Sequence, residues 1–444
     1  MNKNSIYKII AISVIAALAF IIAKSVWEIL CLSISQWNEP ILFGDSWRLT
    51  TTKAIEGAGI HSLLSQHNEH RIVLSKAAAL FETNVLNIPL TQTALLQTMI
   101  LLIFSCLIWA YLCSKILTSK AIWTTTSLAG SALILNPWQY ENFAWEFQTP
   151  WIFINTLTLF AAVAISFQKK AICRALSMLQ DILIAAIPWI AIFSTGQGIA
   201  LGLALSICSW TNSRRLGVIS TTSFILTMLS TYFILDYQKP SHHPDYQFNP
   251  YYFLKISTGG SWQGLSILII ISALVLAVNY KSIKTHLSII GTVLIPFVFS
   301  IIFAGMTTLS RSGFGIGQAN SPRYVSHSLM TGLSCILIVA ICSQKRSSQL
   351  KLLNLAPGIL TLIAFTSFNV GGIAQDFTNQ WENAKNFQEK NRSNFKCLGK
   401  RINLKKRGIE HTCLDGPHHH DIANEYFKGK TAIKPLGWHK KLIN

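Results

Sequence analysis

Long apolar stretches with almost no charged residue recur eleven times along this chain, and they constrain its fold more than any other feature. A stretch of about 20 apolar residues is long enough to cross the hydrocarbon core of a bilayer as a helix. Only 12% of the residues are charged, against about 25% in soluble domains. The pattern predicts an all-α integral membrane protein with about eleven transmembrane helices. It excludes a soluble enzyme and a disordered chain. The stretches cover residues 8–24, 94–114, 121–135, 150–167, 176–193, 197–210, 217–235, 263–279, 287–304, 324–342 and 354–371.

The basic residues predict which ends of these helices face the cytoplasm. Alternate short connections hold fourteen of the 37 lysines and arginines and no acid, and Lys169, Lys170 and Arg174 form one such group. The positive-inside rule assigns these connections to the cytoplasm. The first apolar stretch has a basic start but no small-residue cleavage site, so we expect an uncleaved anchor with a cytoplasmic N-terminus. Because the net charge of +19 is divided between membrane faces, we expect no nucleic-acid partner.

The composition divides the chain into two parts. Residues 1–372 form the predicted membrane domain, and residues 373–444 form a small basic tail with fourteen cations and seven acids. Eleven crossings place this tail outside the cytoplasm. Cys397 and Cys413 lie in the tail, where an oxidising compartment favours a disulfide over two free thiols. The tail histidines at 411 and 418–420 are more typical of an exposed loop than of a metal site.

The first outer loop, residues 34–92, is much longer than a connection requires, and long loops are usually functional. Asp45 follows the first apolar stretch and lies between two aromatic residues, Phe43 and Trp47. Two interpretations of Asp45 stay open. It is either an N-cap for a helix that starts at Ser46 or a catalytic carboxylate.

The same loop contains the run His67-Asn68-Glu69-His70-Arg71. One interpretation is a solvated charge patch. Another is a metal site with two or three ligands, although the ligand spacings of structural zinc are missing. We favour the polar wall of an active-site cavity, where His67, His70 or Glu69 positions an acceptor hydroxyl and Arg71 pairs with a phosphate or carboxylate. The pattern requires no cofactor, and it does not indicate a divalent metal.

The second outer loop, residues 136–150, interleaves five aromatic residues with amides and carboxylates. An interfacial aromatic belt accounts for the rings alone. Flat rings beside polar groups are also typical of a sugar-binding cleft, because a sugar presents apolar C–H faces and a rim of hydroxyls. We therefore predict that Trp138, Tyr140 and Trp145 bind substrate.

The fourth and fifth outer loops complete the predicted site. The fourth loop, residues 236–252, contains three prolines and is predicted to be a lid or substrate loop. The fifth loop, residues 310–324, carries Arg311 and Arg323 beside three glycines and no acid. Arginine at a membrane boundary often extends to lipid headgroups. Two arginines without a nearby acid favour an anion site, with Tyr324 beside it, because the guanidinium binds phosphate through parallel hydrogen bonds.

A cytoplasmic N-terminus, a long first outer loop with an early acid, and an extracytoplasmic tail together resemble the GT-C superfamily of membrane glycosyltransferases. This superfamily includes protein O-mannosyltransferases and lipid A aminoarabinose transferases. The segments Asn-Pro-Trp-Gln-Tyr-Glu-Asn-Phe at 136–143 and Ser-Pro-Arg-Tyr at 321–324 are similar to segments of bacterial membrane proteins of this type. The resemblance covers about residues 1–372 and lies in architecture and loop pattern.

The resemblance implies an inverting transfer of a sugar from a polyprenyl-phosphate donor to a hydroxyl of a glycan, lipid or protein. The reaction would take place at the outer face of the bacterial cytoplasmic membrane. The family's catalytic acid carries over to Asp45 only. Where the family commonly has two adjacent acids, this chain has Asp45-Ser46, which leaves Glu69 and Glu141 as alternative catalytic acids.

Two other functions stay open. An O-antigen ligase or polymerase shares the membrane setting and the outer arginines but uses a pyrophosphate-linked oligosaccharide. A lipid-linked sugar flippase or other transporter should carry acids or bases in the middle of its helices, and only Asp181 lies within a predicted span. The expected partners are the lipid-linked sugar, its acceptor and membrane lipids.

Overall fold

The computed structural model describes residues 3–42, 45–46, 63–68, 70–86, 88, 92–166, 174–240, 243–260, 262–283, 287–346, 351–366 and 373–406. These residues form helices and contain no β-strand, only one isolated bridge between His67 and His70. Helices suit apolar stretches because a helix satisfies its own backbone hydrogen bonds where no water is present. In chain order the helices are α1 (Lys3–Asn38), α2 (Val73–Asn84), α3 (Ala94–Ile116), α4 (Lys120–Ile134), α5 (Tyr140–Ala144), α6 (Thr149–Ser166), α7 (Arg174–Ile192), α8 (Gly198–Asn212), α9 (Arg214–Leu229), α10 (Pro250–Ser257), α11 (Gly264–Ile283), α12 (Leu287–Arg311), α13 (Pro322–Arg346), α14 (Ala356–Thr366) and α15 (Ile373–Lys406).

A helix lies at each of the eleven predicted positions. Among the described residues, seven helical segments are long and apolar enough to cross a membrane. Three shorter apolar helices and the 15-residue helix α4 occupy the other four positions, and eleven crossings therefore stay a prediction. The seven segments are Ser5–Asn38, Ala94–Ile116, Thr149–Ser166, Ala175–Ile192, Arg214–Ile234, Gly291–Phe314 and Pro322–Gln344.

Helix α1 is longer than its apolar stretch predicts. Its 36 residues span about 54 Å, which exceeds the roughly 30 Å of a hydrocarbon core. The helix carries Lys24 and Glu28, which form an ion pair with each other. Asp181, which pairs with Arg215, is therefore not the only acid on an apolar helix, although it is the only one within a predicted span. The sequence missed Glu28 because the apolar stretch ends four residues before it.

Helix α13 occupies the centre of the bundle. In its most apolar 18-residue stretch, 89% of the residues are buried inside the protein, against 22% in α1. Helices α4, α6, α11, α12 and α14 pack around α13. Helix α13 begins at Pro322, and its residues are buried from Tyr324 onward through Met330.

Close packing between α3 and α4 depends on a glycine. A Cβ atom added at Gly130 would lie 1.9 Å from the indole Nε1 of Trp109. Trp109 is almost fully buried, and its Nε1 donates a hydrogen bond to the carbonyl of Thr126 at 3.1 Å. Small residues are typical of such helix contacts in membranes, because they let a large side chain lie against the neighbouring backbone.

The described part of the basic tail is the single helix α15. Trp381 of this helix stacks on Phe143 of α5, with ring centroids 5.5 Å apart. Cys397, also on α15, is disulfide-bonded. Its predicted partner, Cys413, lies outside the described residues, so that pairing stays a prediction. The domain boundary at 372 also stays a prediction.

Candidate functional site

A cavity of about 340 Å³ is bounded by residues of α6, α7, α8, α12 and α13 and of the π-helical segment Ser230–Ile234. The first, fourth and fifth outer loops and the turn that precedes α8 also contribute to its wall. Seven residues of the wall are polar: His70, Arg71, Gln197, Thr231, Thr307, Ser310 and Arg311. Six are aromatic: Trp151, Tyr232, Tyr237, Tyr246, Phe303 and Tyr324. Of the twelve predicted catalytic and substrate-binding residues, the cavity wall contains His70, Arg71, Arg311 and Tyr324.

The histidines of the first outer loop lie on a tight turn. The backbone N–H of His67 donates to the carbonyl of His70 at 2.7 Å, and the reverse bond measures 2.9 Å. Asn68 has a φ of 51°, in the left-handed region that asparagine tolerates better than most residues. The local sequence therefore makes a turn that holds both histidines at one site. Glu69, a predicted alternative acid, lies outside the described residues.

His70 is neutral and oriented in this site. Its Nδ1 accepts a hydrogen bond from the backbone N–H of Gly196 at 3.0 Å, so the proton of the neutral ring is on Nε2. Burial lowers the pKa of His70 to about 4, and the nearby carboxylate of Asp45 opposes the shift. At neutral pH the imidazole is thus a hydrogen-bond donor without charge, which suits contact with a hydroxyl.

Asp45 lies beside this turn. The Nδ2 atom of Asn68 donates to Oδ1 of Asp45 at 3.4 Å, and Nε2 of His67 is 3.9 Å from the same oxygen. The Asp45 side chain keeps 32% of its surface exposed. Its charge also acts on His70, Arg311 and Arg323. Asp45 is therefore an accessible carboxylate near the arginines. The helix that it would cap lies outside the described residues.

Arg311 and Arg323 form a positive pair next to Tyr324. Arg311 ends helix α12, and Arg323 lies in the first turn of α13. Each guanidinium acts on the other by charge repulsion, and both interact with Tyr324. Two like charges in a low-dielectric site are costly unless negative charge is near. Asp45 and Glu141 are the acids whose charges act on Arg323, and Asp45 also acts on Arg311.

Glu141 supports this pair from α5 and does not line the cavity. Its Oε2 accepts a hydrogen bond from the hydroxyl of Ser321 at 3.0 Å, and its charge acts on Arg323. The neighbouring Asn142 donates from Nδ2 to the carbonyl of Arg323 at 3.1 Å. Short helix α5 therefore holds the start of α13 in place through two consecutive side chains.

Arg71 connects two segments of the wall. Its two terminal nitrogens donate to the backbone carbonyls of Leu64 and Leu235. Burial lowers the pKa of its guanidinium, and the charge of Asp236 opposes that shift. These bonds tie the first outer loop to the segment after α9. Arg71 therefore shapes the cavity in addition to lining it.

The predicted aromatic platforms lie away from the cavity. Trp138 packs against Trp262 and Phe365, with centroid distances of 6.2 and 6.1 Å. The rings of Tyr140 and Trp145 both contact Phe387 of the tail helix α15, each at 6.5 Å. Trp138, Tyr140 and Trp145 are therefore packing residues of the described structure, and their predicted role as sugar platforms finds no support in it.

Other aromatic residues line the cavity in their place. Trp151 stacks on Tyr324 at 5.8 Å and on His327 at 5.2 Å. Tyr232 was not predicted as a site residue, because it lies in an apolar stretch; it lines the cavity from a π-helical segment, Ser230–Ile234. Such segments are frequent at functional sites. Tyr237 and Tyr246, in contrast, belong to the loop predicted to contact substrate.

Two residues of the cavity wall are also partly exposed at the surface of the described structure. Tyr232 and Leu309 both line the cavity, yet their side chains keep 43% and 44% of their surface exposed. Both residues lie on helical segments long and apolar enough to cross a membrane.

Among the described residues, no group of three or more histidines, cysteines or acids could hold a metal ion. That the protein requires no metal ion stays a prediction. No protein-family model, no curated protein and no solved structure matches this chain.

Proposed function

We propose that this chain is a membrane glycosyltransferase of the GT-C type, which transfers a sugar from a polyprenyl-phosphate donor to a hydroxyl acceptor. One observation carries the proposal. A single cavity combines arginine, a ring-lined wall and partly exposed side chains, Tyr232 and Leu309, on helical segments apolar enough to cross a membrane. These three features match the three parts of such a donor, namely phosphate, sugar and polyprenyl chain.

The arginine pair supports phosphate binding. Arg311 lines the cavity, and Arg323 lies close enough for the two guanidiniums to repel each other. A phosphate between or beside them would relieve this repulsion and accept charge-assisted hydrogen bonds. The same contacts would stabilise the charge that develops on the departing phosphate during transfer.

Asp45 is the proposed base. Its carboxylate would accept the proton of the acceptor hydroxyl while that oxygen attacks the anomeric carbon of the sugar. The bond between this carbon and the phosphate oxygen would break on the opposite face, and its electron pair would leave with the phosphate, so the sugar inverts. Asn68 and His67 hold the carboxylate, and neutral His70 can donate to a substrate hydroxyl.

The membrane orientation belongs to the same proposal. The N-terminus would be cytoplasmic, and the cavity and the tail helix α15 would lie at the outer face of a bacterial inner membrane. The supporting observation is that α15 packs on α5 and on the outer end of α1, so all three share one face of the bundle. The acceptor would be a glycan, lipid or protein hydroxyl.

A pyrophosphate-linked donor, as used by an O-antigen ligase, is the second candidate. The spacing of two arginines around one tyrosine favours it, because two phosphates offer separate partners to Arg311 and Arg323. Donor analogues with one and two phosphates distinguish the two proposals, since the first predicts transfer only from the monophosphate.

The test is sugar analysis of surface polysaccharide and lipid extracts from a deletion strain. We expect one sugar to be missing and to return with the wild-type gene but not with Asp45→Asn. The matched control is Asp245→Asn, because Asp245 is an exposed carboxylate paired with Lys239 outside the cavity. An unchanged sugar composition in the deletion strain contradicts the proposed function, and full activity of Asp45→Asn removes Asp45 from it.

A further inference from the structure

The tail helix α15 lies across the outer end of α1. Nζ of Lys385 is 3.3 Å from Glu28, and Nε2 of Gln388 donates to the carbonyl of Leu32 at 3.3 Å. One turn further on, Nε of Arg392 is 3.0 Å from a carboxylate oxygen of Glu39. These contacts join residues 385–392 of α15 to the last turns of α1 and to Glu39 just after it.

A continuous row of rings joins this helix to the proposed base. Phe387 contacts Trp145 at a centroid distance of 6.5 Å. Trp145 contacts Phe147 at 6.0 Å, and Phe147 contacts His67 at 5.3 Å. Nε2 of His67 is then 3.9 Å from Asp45. All these centroid distances fall in the range of favourable aromatic pairs.

A change at Phe387 can displace His67 because the residues between them are buried. Trp145, Phe147 and His67 each keep less than a tenth of their surface exposed. Buried rings at this packing density leave no free volume, so loss of one ring lets its neighbour shift into the gap. His67 and Asn68, both beside Asp45, belong to one turn and would move together.

We propose that Phe387 is a positioning residue, which holds His67 against Asp45 through Trp145 and Phe147. Phe387 touches neither the cavity nor the proposed substrate. The tail helix thus contributes one ring to the support of the proposed base, and this contact of Phe387 with Trp145 is what keeps His67 in place. The catalytic consequence rests on the proposed function, whereas the position of His67 does not.

The first measurement is therefore independent of activity. Diethyl pyrocarbonate modifies accessible neutral imidazoles, and peptide mass mapping reports its rate at His67 alone. In the full-length protein we expect Phe387→Ala to raise this rate about tenfold, because a cavity left by a lost ring lets the turn move. Phe387→Leu should give a smaller rise. The control Arg392→Gln weakens α15 docking on α1 outside the row and should leave the rate at the wild-type value.

The second measurement is transfer by the same variants. We expect Phe387→Ala to lower kcat about tenfold with an unchanged KM for the lipid donor, since a displaced base affects chemistry and not donor binding. Phe387→Leu should recover most of kcat, and Arg392→Gln should match the wild type.

The outcomes separate the two proposals. If Phe387→Ala leaves the modification rate of His67 at the wild-type value, the positioning role is overturned. An equal rise of this rate in Arg392→Gln also overturns it. A selective rise at His67 with no transfer by the wild-type protein supports the positioning role and contradicts the proposed function. If the modification rate of His67 rises selectively but kcat is unchanged, Phe387 has a structural role only. That result overturns the catalytic consequence.

Discussion

The backbone N–H of Gly196 donates a hydrogen bond to Nδ1 of His70 at 3.0 Å. This bond joins the first outer loop to the turn that precedes α8, and it fixes which ring nitrogen of His70 carries the proton. Because the bond forms at the cavity wall, it links the fold of the outer face to the state of the proposed site.

The burial of His70 makes stability depend on pH. The pKa of His70 falls to about 4 in the folded protein, against about 6.5 in an unfolded chain. Between these values only the unfolded state binds the proton, so stability should fall as pH decreases from 6.5 to 4 and then level off for this group. Thermal unfolding in detergent at several pH values measures how steeply stability depends on pH. We expect this slope to be smaller in His70→Gln.

His243→Gln is the control for this measurement, because His243 lies on the fourth outer loop and is not part of the cavity wall. It should keep the wild-type slope. Equal slopes for His70→Gln and the wild type would contradict a neutral, buried His70.

Trp151 should contribute to donor binding. Its ring lines the cavity and stacks on Tyr324 and His327, and an indole is the kind of ring on which sugars stack. We expect Trp151→Phe to raise the donor KM by about threefold to tenfold, the size of one aromatic contact. Trp262→Phe removes an equally buried indole that packs on Trp138 and Phe365, and it should leave KM unchanged. Equal effects of the two variants would argue against a stacking role.

Hydropathy predicted the helical scaffold because membrane helices are defined by long local patterns. The stretch 324–342, for example, lies within α13, and the run 263–279 lies within α11 except for its first residue. Helix ends were less predictable. Helix α1 continues to Asn38 because its outer half packs against α15, a tertiary contact that no local pattern encodes.

The site was predicted in part. Charge and loop composition identified His70, Arg311 and Tyr324, because polar residues at the outer ends of apolar helices are unusual. The aromatic residues could not be assigned in the same way. Trp145 and Trp151 look alike in the sequence, and only the packing of α5 and α15 turns one toward the tail helix and leaves the other at the cavity.

Gly130 should be intolerant of any side chain. A Cβ atom there would overlap the indole of Trp109, so we expect Gly130→Ala to destabilise the protein by about 1–3 kcal/mol, as overpacking does. The measurement is thermal unfolding in detergent. Gly305→Ala is the matched control, since a Cβ atom at this helical glycine meets nothing within 4 Å. A neutral Gly130→Ala would show that α3 and α4 separate at little cost.

The central claim, that this cavity binds a lipid phosphate, is tested most directly by native mass spectrometry of the purified protein with added polyprenyl phosphate. We expect saturable binding by the wild type and an affinity about tenfold to a hundredfold lower for Arg311→Gln, the size of a lost charge-assisted contact. Arg215→Gln, which alters an arginine paired with Asp181 far from the cavity, should bind as the wild type does. Equal affinities for Arg311→Gln and the wild type would contradict the account.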